Sequence, residues 1–254
     1  GTVESVAALT PAALRDHLAK LRETSRLELI VVGDVPADHV IEKVKAAFGK
    51  LPRGSFVPKP LPVPKFDKSV LTAKQAELPT TYIMGSFVAP GWTSPDFAAA
   101  FVATRILHDR VWEEVRTKRN LSYAPNAGFR YGAEVTRGQL YVTAVDPNTT
   151  WRVMLDEAKR LAESPLPAAD LAGSKGQFLT NHLMGNESAA GQASWLGTCD
   201  VVGGDYKLAR TLPERIAGVK AEEVQSFVKN RVLRLQTAVL GDAAKLDRGL
   251  FESR

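Results

Sequence analysis

Apolar positions along the chain change their period several times, and each change marks an element. Leu14, Leu18 and Leu21 recur on one helical face, behind Thr10 as N-cap and Pro11 at the first helical position. This predicts a helix to about Arg22. Arg-Leu-Glu-Leu-Ile-Val-Val-Gly-Asp, from Arg26 to Asp34, reads as a strand closed by a Gly-Asp turn. A second helix is predicted from Ala37 to about Phe48, with Val40, Ile41, Val44 and Phe48 inward. The pattern then lapses. Pro52, Pro58, Pro60, Pro62 and Pro64 fall in a stretch without helical period, the composition of an extended, semi-rigid connector.

Beyond the connector the periods resume. Ser69 to Leu78 and Thr80 to Val88 read as strands. Ser94-Pro95-Asp96 then opens a long helix whose apolar face carries Leu107, Val111 and Val115 and which ends at Arg116. Leu121 to Gly132 and Gln139 to Asp146 read as an antiparallel pair joined by a polar turn around Thr136-Arg137-Gly138. Helices are predicted from about Thr150 to Glu163, from Pro167 into the Leu183 region, from Ala189 to Val202, and from Ala221 to Val232. The last strand, Arg-Leu-Gln-Thr-Ala-Val-Leu-Gly-Asp from Arg234 to Asp242, matches Arg26 to Asp34 at Arg, Leu, Val, Gly and Asp. Paired strands with helices gathered between them argue for an α+β layer fold with an antiparallel or mixed sheet, not a doubly wound one. The repeated helix-strand unit suggests a duplicated architecture, although two buried strands can look alike by chance. On the duplicated reading, residues 1–51 are the tail of a preceding domain, 52–66 the linker and 67–254 a complete domain. Gly1 is no natural-looking start, so the body of the first domain is expected to lie outside this chain.

Composition narrows the function classes. At 254 residues, 44% hydrophobic and 24% charged, the chain has the make-up of an ordinary globular protein with one large or two small domains. A formal charge of +5, with both signs interspersed, gives no basic stripe of the kind nucleic acid needs, so no nucleic-acid partner is expected. No apolar run approaches a membrane span, and no membrane partner is expected. One cysteine, Cys199, excludes an internal disulfide and a cysteine zinc cluster but leaves the compartment open, bacterial periplasm and cytoplasm alike.

The candidate chemistry sits where the long helix meets the next strand. Arg-Thr-Lys-Arg-Asn-Leu-Ser-Tyr, residues 116–123, brings Arg116 near Tyr123. Read plainly, Arg116 is a cation at a helix C-terminus and Tyr123 a half-buried strand aromatic. An Arg and a Tyr with six residues between them at such a junction also resemble the second half of the insulinase/pitrilysin-like (M16) zinc peptidases, relatives of the mitochondrial processing peptidases. The order of elements is similar to that half over nearly the whole chain.

The resemblance implies a mitochondrial processing peptidase-like and LuxS-like α/β sandwich in which two halves enclose a cavity for extended peptides. It implies catalytic and substrate-binding roles for Arg116 and Tyr123, which reach toward a zinc centre in the other half. Where many relatives carry a Gly-rich, Ser-Arg segment, this chain has Arg105-Ile106-Leu107-His108-Asp109-Arg110. Family members hold zinc through His-x-x-Glu-His and a further Glu. His17, His39, His108 and His182 form neither that motif nor its inverse. No metal or other cofactor is therefore expected in this chain, and zinc is expected in an N-terminal half or a partner subunit bearing the motif. His17, His39 and His182 are expected to be solvated. The partners implied are that half, an extended peptide substrate and, as an option, a second copy of the chain. A non-enzymatic relative acting as scaffold or peptide-binding subunit stays open. So does a plain α+β interaction domain, which would leave Arg116 and Tyr123 apart.

Overall fold

The computed structural model describes residues 1–57, 59, 62–130 and 136–252. Three helices come first: α1 (Val3–Ala7), α2 (Pro11–Leu21) and α3 (Ala37–Phe48). Then follow β1 (Val70–Gln75), β2 (Thr81–Val88), α4 (Phe97–Val111), β3 (Asn126–Arg130) and β4 (Arg137–Ala144). Helices α5 (Pro147–Glu163), α6 (Ala168–Gly185), α7 (Ala189–Val201), α8 (Leu208–Ala217) and α9 (Ala221–Phe227) lead into β5 (Gln236–Gly241) and α10 (Arg248–Glu252).

The sheet runs β1-β5-β2-β4-β3. Its only parallel pair among the described strands is β1 with β5; β2, β4 and β3 join antiparallel, so the sheet is mixed as the element order predicts. Burial alternates along β2, with Thr81, Ile83, Gly85 and Phe87 turned inward. Alternation at period two puts one sheet face under helices and leaves the other open. The covered face packs Ile83, Phe87, Leu140, Val142 and Val239 against α4, α5 and α9, around a fully buried Trp151. Two glycines set that close packing. A Cβ on Gly85 would come 2.8 Å from the Trp151 ring, and one on Gly138 would enter the ring of Phe87.

Several expected elements shift. Arg137 and Gly138, expected in a turn, are ladder residues opposite Arg130 and Phe129. The stretch 131–135, where the first strand of that pair was expected to end, lies outside the described residues. The strand expected from Leu121 begins only at Asn126, because 118–125 closes the helix end described below. The strand expected from Arg26 to Asp34 belongs to no ladder, and 27–32 falls outside any helix or strand. A strand needs a neighbour to satisfy its backbone, and no described strand lies beside this one. Ile30 instead rests on α7, where a Cβ at Gly197 would come 2.7 Å from its Cδ1. Among the described residues of 1–68 none is buried, and Leu14, Leu18 and Leu21 of α2 stand exposed.

Candidate functional site

The helix that carries the site is built to change pitch at its end. Leu107, Val111 and Val115 are fully buried, so the apolar face holds through the last turn. From Trp112 to Thr117 the backbone widens into a π turn, with the Lys118 amide donating to the Glu113 carbonyl at 2.9 Å. Such turns displace side chains from the register of the helix before them. The chain reverses at Asn120, which takes a φ of 50°, a left-handed value that Asn tolerates better than most residues. The Leu121 amide then closes onto the Val115 carbonyl at 2.8 Å. This reversal carries Tyr123 back over the helix end.

Arg116 and Tyr123 are therefore adjacent in space, against the plain interaction-domain reading. The guanidinium Cζ of Arg116 stands 4.0 Å from the centroid of the Tyr123 ring. Its Nη1 donates to the Tyr123 backbone carbonyl at 2.8 Å. Tyr123 is 79% exposed and not the half-buried strand aromatic of the plain reading. The guanidinium thus grips the ring face and backbone of Tyr123 and leaves the hydroxyl toward solvent. Trp112, one turn earlier, meets the same guanidinium with its centroid 4.5 Å from Cζ. Ring contacts of this kind contribute about 0.5–1 kcal/mol each at exposed sites.

Charge is sorted around the pair. Glu114, on the buried side of the π turn, accepts from Lys118 Nζ at 2.7 Å and from Arg119 Nη1. Those hydrogen bonds, from Lys118 first and then Arg119, hold its carboxyl down at a pKa of about 2. Two of the three neighbouring cations are spent on one carboxylate. Arg116 has no carboxylate within ion-pair distance among the described residues, so its charge faces outward unneutralised. His108, two turns above Arg116, has its pKa lowered chiefly by burial and next by Arg105. Its Nδ1 faces the Ala127 amide at 3.5 Å and the Asn126 amide nitrogen at 3.4 Å.

The other histidines are scattered. His17 and His39 are exposed, as expected. His182 is only partly solvated: its ring packs on Phe178 (centroids 5.9 Å) and edge-on to Trp195 (5.3 Å). Among the described residues no group of three or more His, Cys, Asp or Glu stands close enough to hold a metal ion, so the donor set does not fit a zinc site. No described helix is long and apolar enough to cross a membrane. Sequence reasoning passed over Trp112 and Glu114. Trp112 was detectable, since a residue four before Arg116 on a helix shares its face; Glu114's role depended on the π turn, which the sequence pattern does not announce.

Comparison with known proteins agrees with this architecture. Residues 8–178 match the family model described as the peptidase M16 inactive domain. An uncharacterised zinc protease of Streptomyces coelicolor is 24% identical over 247 residues, which take in 91% of this chain and 53% of that protein. One of Mycobacterium leprae is 24% identical over 255 residues, covering 96% of this chain and 57% of that protein. Among solved structures, a protease from Helicobacter pylori superposes with a TM-score of 0.82 at 15% identity, over 94% of this chain and 61% of that one. The peptidase M16 inactive domain from Pseudomonas fluorescens gives 0.80 at 20% identity, over 96% and 60%. At those identities the two structures speak for the fold. The chain spans little more than half the length of the zinc proteases it matches.

Proposed function

Because the chain belongs to the M16 peptidase family, as its inactive, C-terminal-type domain, we propose that it is the metal-free half of a zinc peptidase and lends Arg116 and Tyr123 to peptide cleavage. The observation that carries this reading is the pair itself: an unneutralised guanidinium packed on a tyrosine whose ring is held and whose hydroxyl is exposed. Cleavage of a peptide bond builds negative charge on the former carbonyl oxygen. The Tyr123 hydroxyl donates to that oxygen, and the free N–H edge of Arg116 holds a neighbouring carbonyl of an extended peptide. Zinc, which would supply the activated water, is assigned to the other half.

The same reading covers the domain plan. Residues 1–51 form the tail of a preceding M16 domain, 52–66 a linker and 67–254 the C-terminal domain. The uncovered apolar faces of α2 and α3 and the unpaired stretch 27–32 support this, since each lacks the neighbours that a complete domain provides. A second reading is a catalytically inactive relative that binds peptides or acts as a scaffold subunit, since an exposed Tyr123 ring and an Arg116 without a carboxylate partner among the described residues suffice to hold an extended peptide without cleaving it.

The test is Arg116→Lys in the natural polypeptide assembled with a half bearing His-x-x-Glu-His. A flexible ammonium cannot reproduce a planar fork that both packs on a ring and donates from its edge. Peptide cleavage is expected to fall about tenfold or more, ~1.4 kcal/mol or above. Wild-type cleavage in Arg116→Lys contradicts the proposal. Weakened peptide binding in an assembly that cleaves nothing points to the second reading.

A further inference from the structure

We infer that Trp112 is a third member of this site, a positioning residue that fixes the guanidinium of Arg116 for an incoming peptide. The inference rests on the reading of Arg116 and Tyr123 given above. Most cations on this helix end are fixed by charge: Lys118 and Arg119 share Glu114, and Arg105 pairs with Asp109 at 2.9 Å. Arg116 has no such partner. It is held by one hydrogen bond to the Tyr123 carbonyl and by two aromatic rings. A long side chain held by carboxylates would meet a peptide with its charge already spent. Held by rings, it keeps its charge and its free N–H edge while its torsions are restricted.

Trp112 has no other evident task. It is 37% exposed and lies outside the buried core that Val111 and Val115 enter on either side of it. Besides Arg116, its ring meets His108 at 6.0 Å between centroids, which extends the row one turn up the helix. The π turn starts at Trp112 itself, so the residue that supports Arg116 sits where the helix changes pitch. Tryptophan is the most effective of the aromatic partners for a cation, and its rigid ring restricts a neighbour at little entropic cost to itself.

The experiment is a double-mutant cycle on kcat/KM for a fluorogenic peptide, in the natural polypeptide assembled with its zinc-bearing half, with peptide affinity and melting temperature read on the same samples. Trp112→Ala is expected to lower kcat/KM by up to about fivefold. Trp112→Phe, which keeps a π face, should recover activity to within about 1.5-fold of wild type. In an Arg116→Ala background, Trp112→Ala should change kcat/KM less than about twofold, because the group it positions is gone. A merely structural Trp112 predicts additive losses that follow melting temperature and no rescue by Phe. Additivity, or a neutral Trp112→Ala beside a harmful Arg116→Ala, overturns the inference alone. A neutral Arg116→Ala overturns the reading of the pair and this inference with it.

Discussion

At the scale of single residues the site depends on how the helix end distributes charge. Glu114 takes two cations and leaves a third free, and its carboxyl is held near a pKa of about 2, against 4.5 ordinarily. A folded pKa below the unfolded one stabilises the folded state fully above the unfolded value, and that stabilisation is lost as pH falls through the folded value. Glu114→Gln should therefore lower the stability at neutral pH by on the order of 1–3 kcal/mol, once the exposure of Lys118 and Arg119 is discounted, and the melting temperature with it. The gap between variant and wild type should close between pH 4.5 and about 2. Thermal melts across that range check it, and a gap independent of pH would show that Glu114 matters through packing. The pairing of Arg116 with Tyr123 was legible in the sequence because six intervening residues across a helix-to-strand junction bring the two together. The manner of contact was not. It depends on the left-handed Asn120 and the wide turn, which place the guanidinium on the ring face and not on the hydroxyl.

At the scale of elements, two copies of one pattern show how far sequence reaches. Arg26 to Asp34 and Arg234 to Asp242 carry the same Arg, Leu, Val, Gly and Asp. Val239 is 3% exposed between β1 and β2, whereas Val31 is 51% exposed and pairs with nothing. The pattern encodes a capacity for strand pairing; the neighbours decide whether it is used. Amides of Leu29, Ile30 and Val31 should exchange with solvent orders of magnitude faster than that of Val239 in a monomeric sample of this chain, and become protected once the other half is present. Equal protection in the monomer would count against the view that 1–51 belongs to a preceding domain. The strands of the sheet and helices α4 to α7 were legible because their periods run long. Helix α8 was missed although Leu208, Leu212 and Ile216 recur at four-residue spacing and are buried, because Pro213 inside the segment reads as a breaker. Helix α10 is one turn whose identity rests on Phe251 stacking on Trp151 at 5.9 Å, a contact across about a hundred residues. The late start of β3 follows from the chain reversal ahead of it.

At the scale of the whole molecule, the chain is one well-packed half with a second, unpacked end. The five-stranded sheet and its helices bury a continuous core, while the described part of 1–68 buries nothing. The site lies at the rim of the packed part, beside the edge strand β3. Among the described residues no metal-fitting group accompanies it, and on the proposed reading the zinc is supplied by the other half. The proposed catalysis then turns on a single oxygen atom of this chain, the Tyr123 hydroxyl. In the natural polypeptide assembled with its zinc-bearing half, Tyr123→Phe removes the exposed hydroxyl and keeps the ring that Arg116 packs on. On the proposed reading kcat and kcat/KM fall together by about two to three powers of ten, with KM and melting temperature little changed. Full activity in Tyr123→Phe, or a lower melting temperature with activity intact, would contradict it.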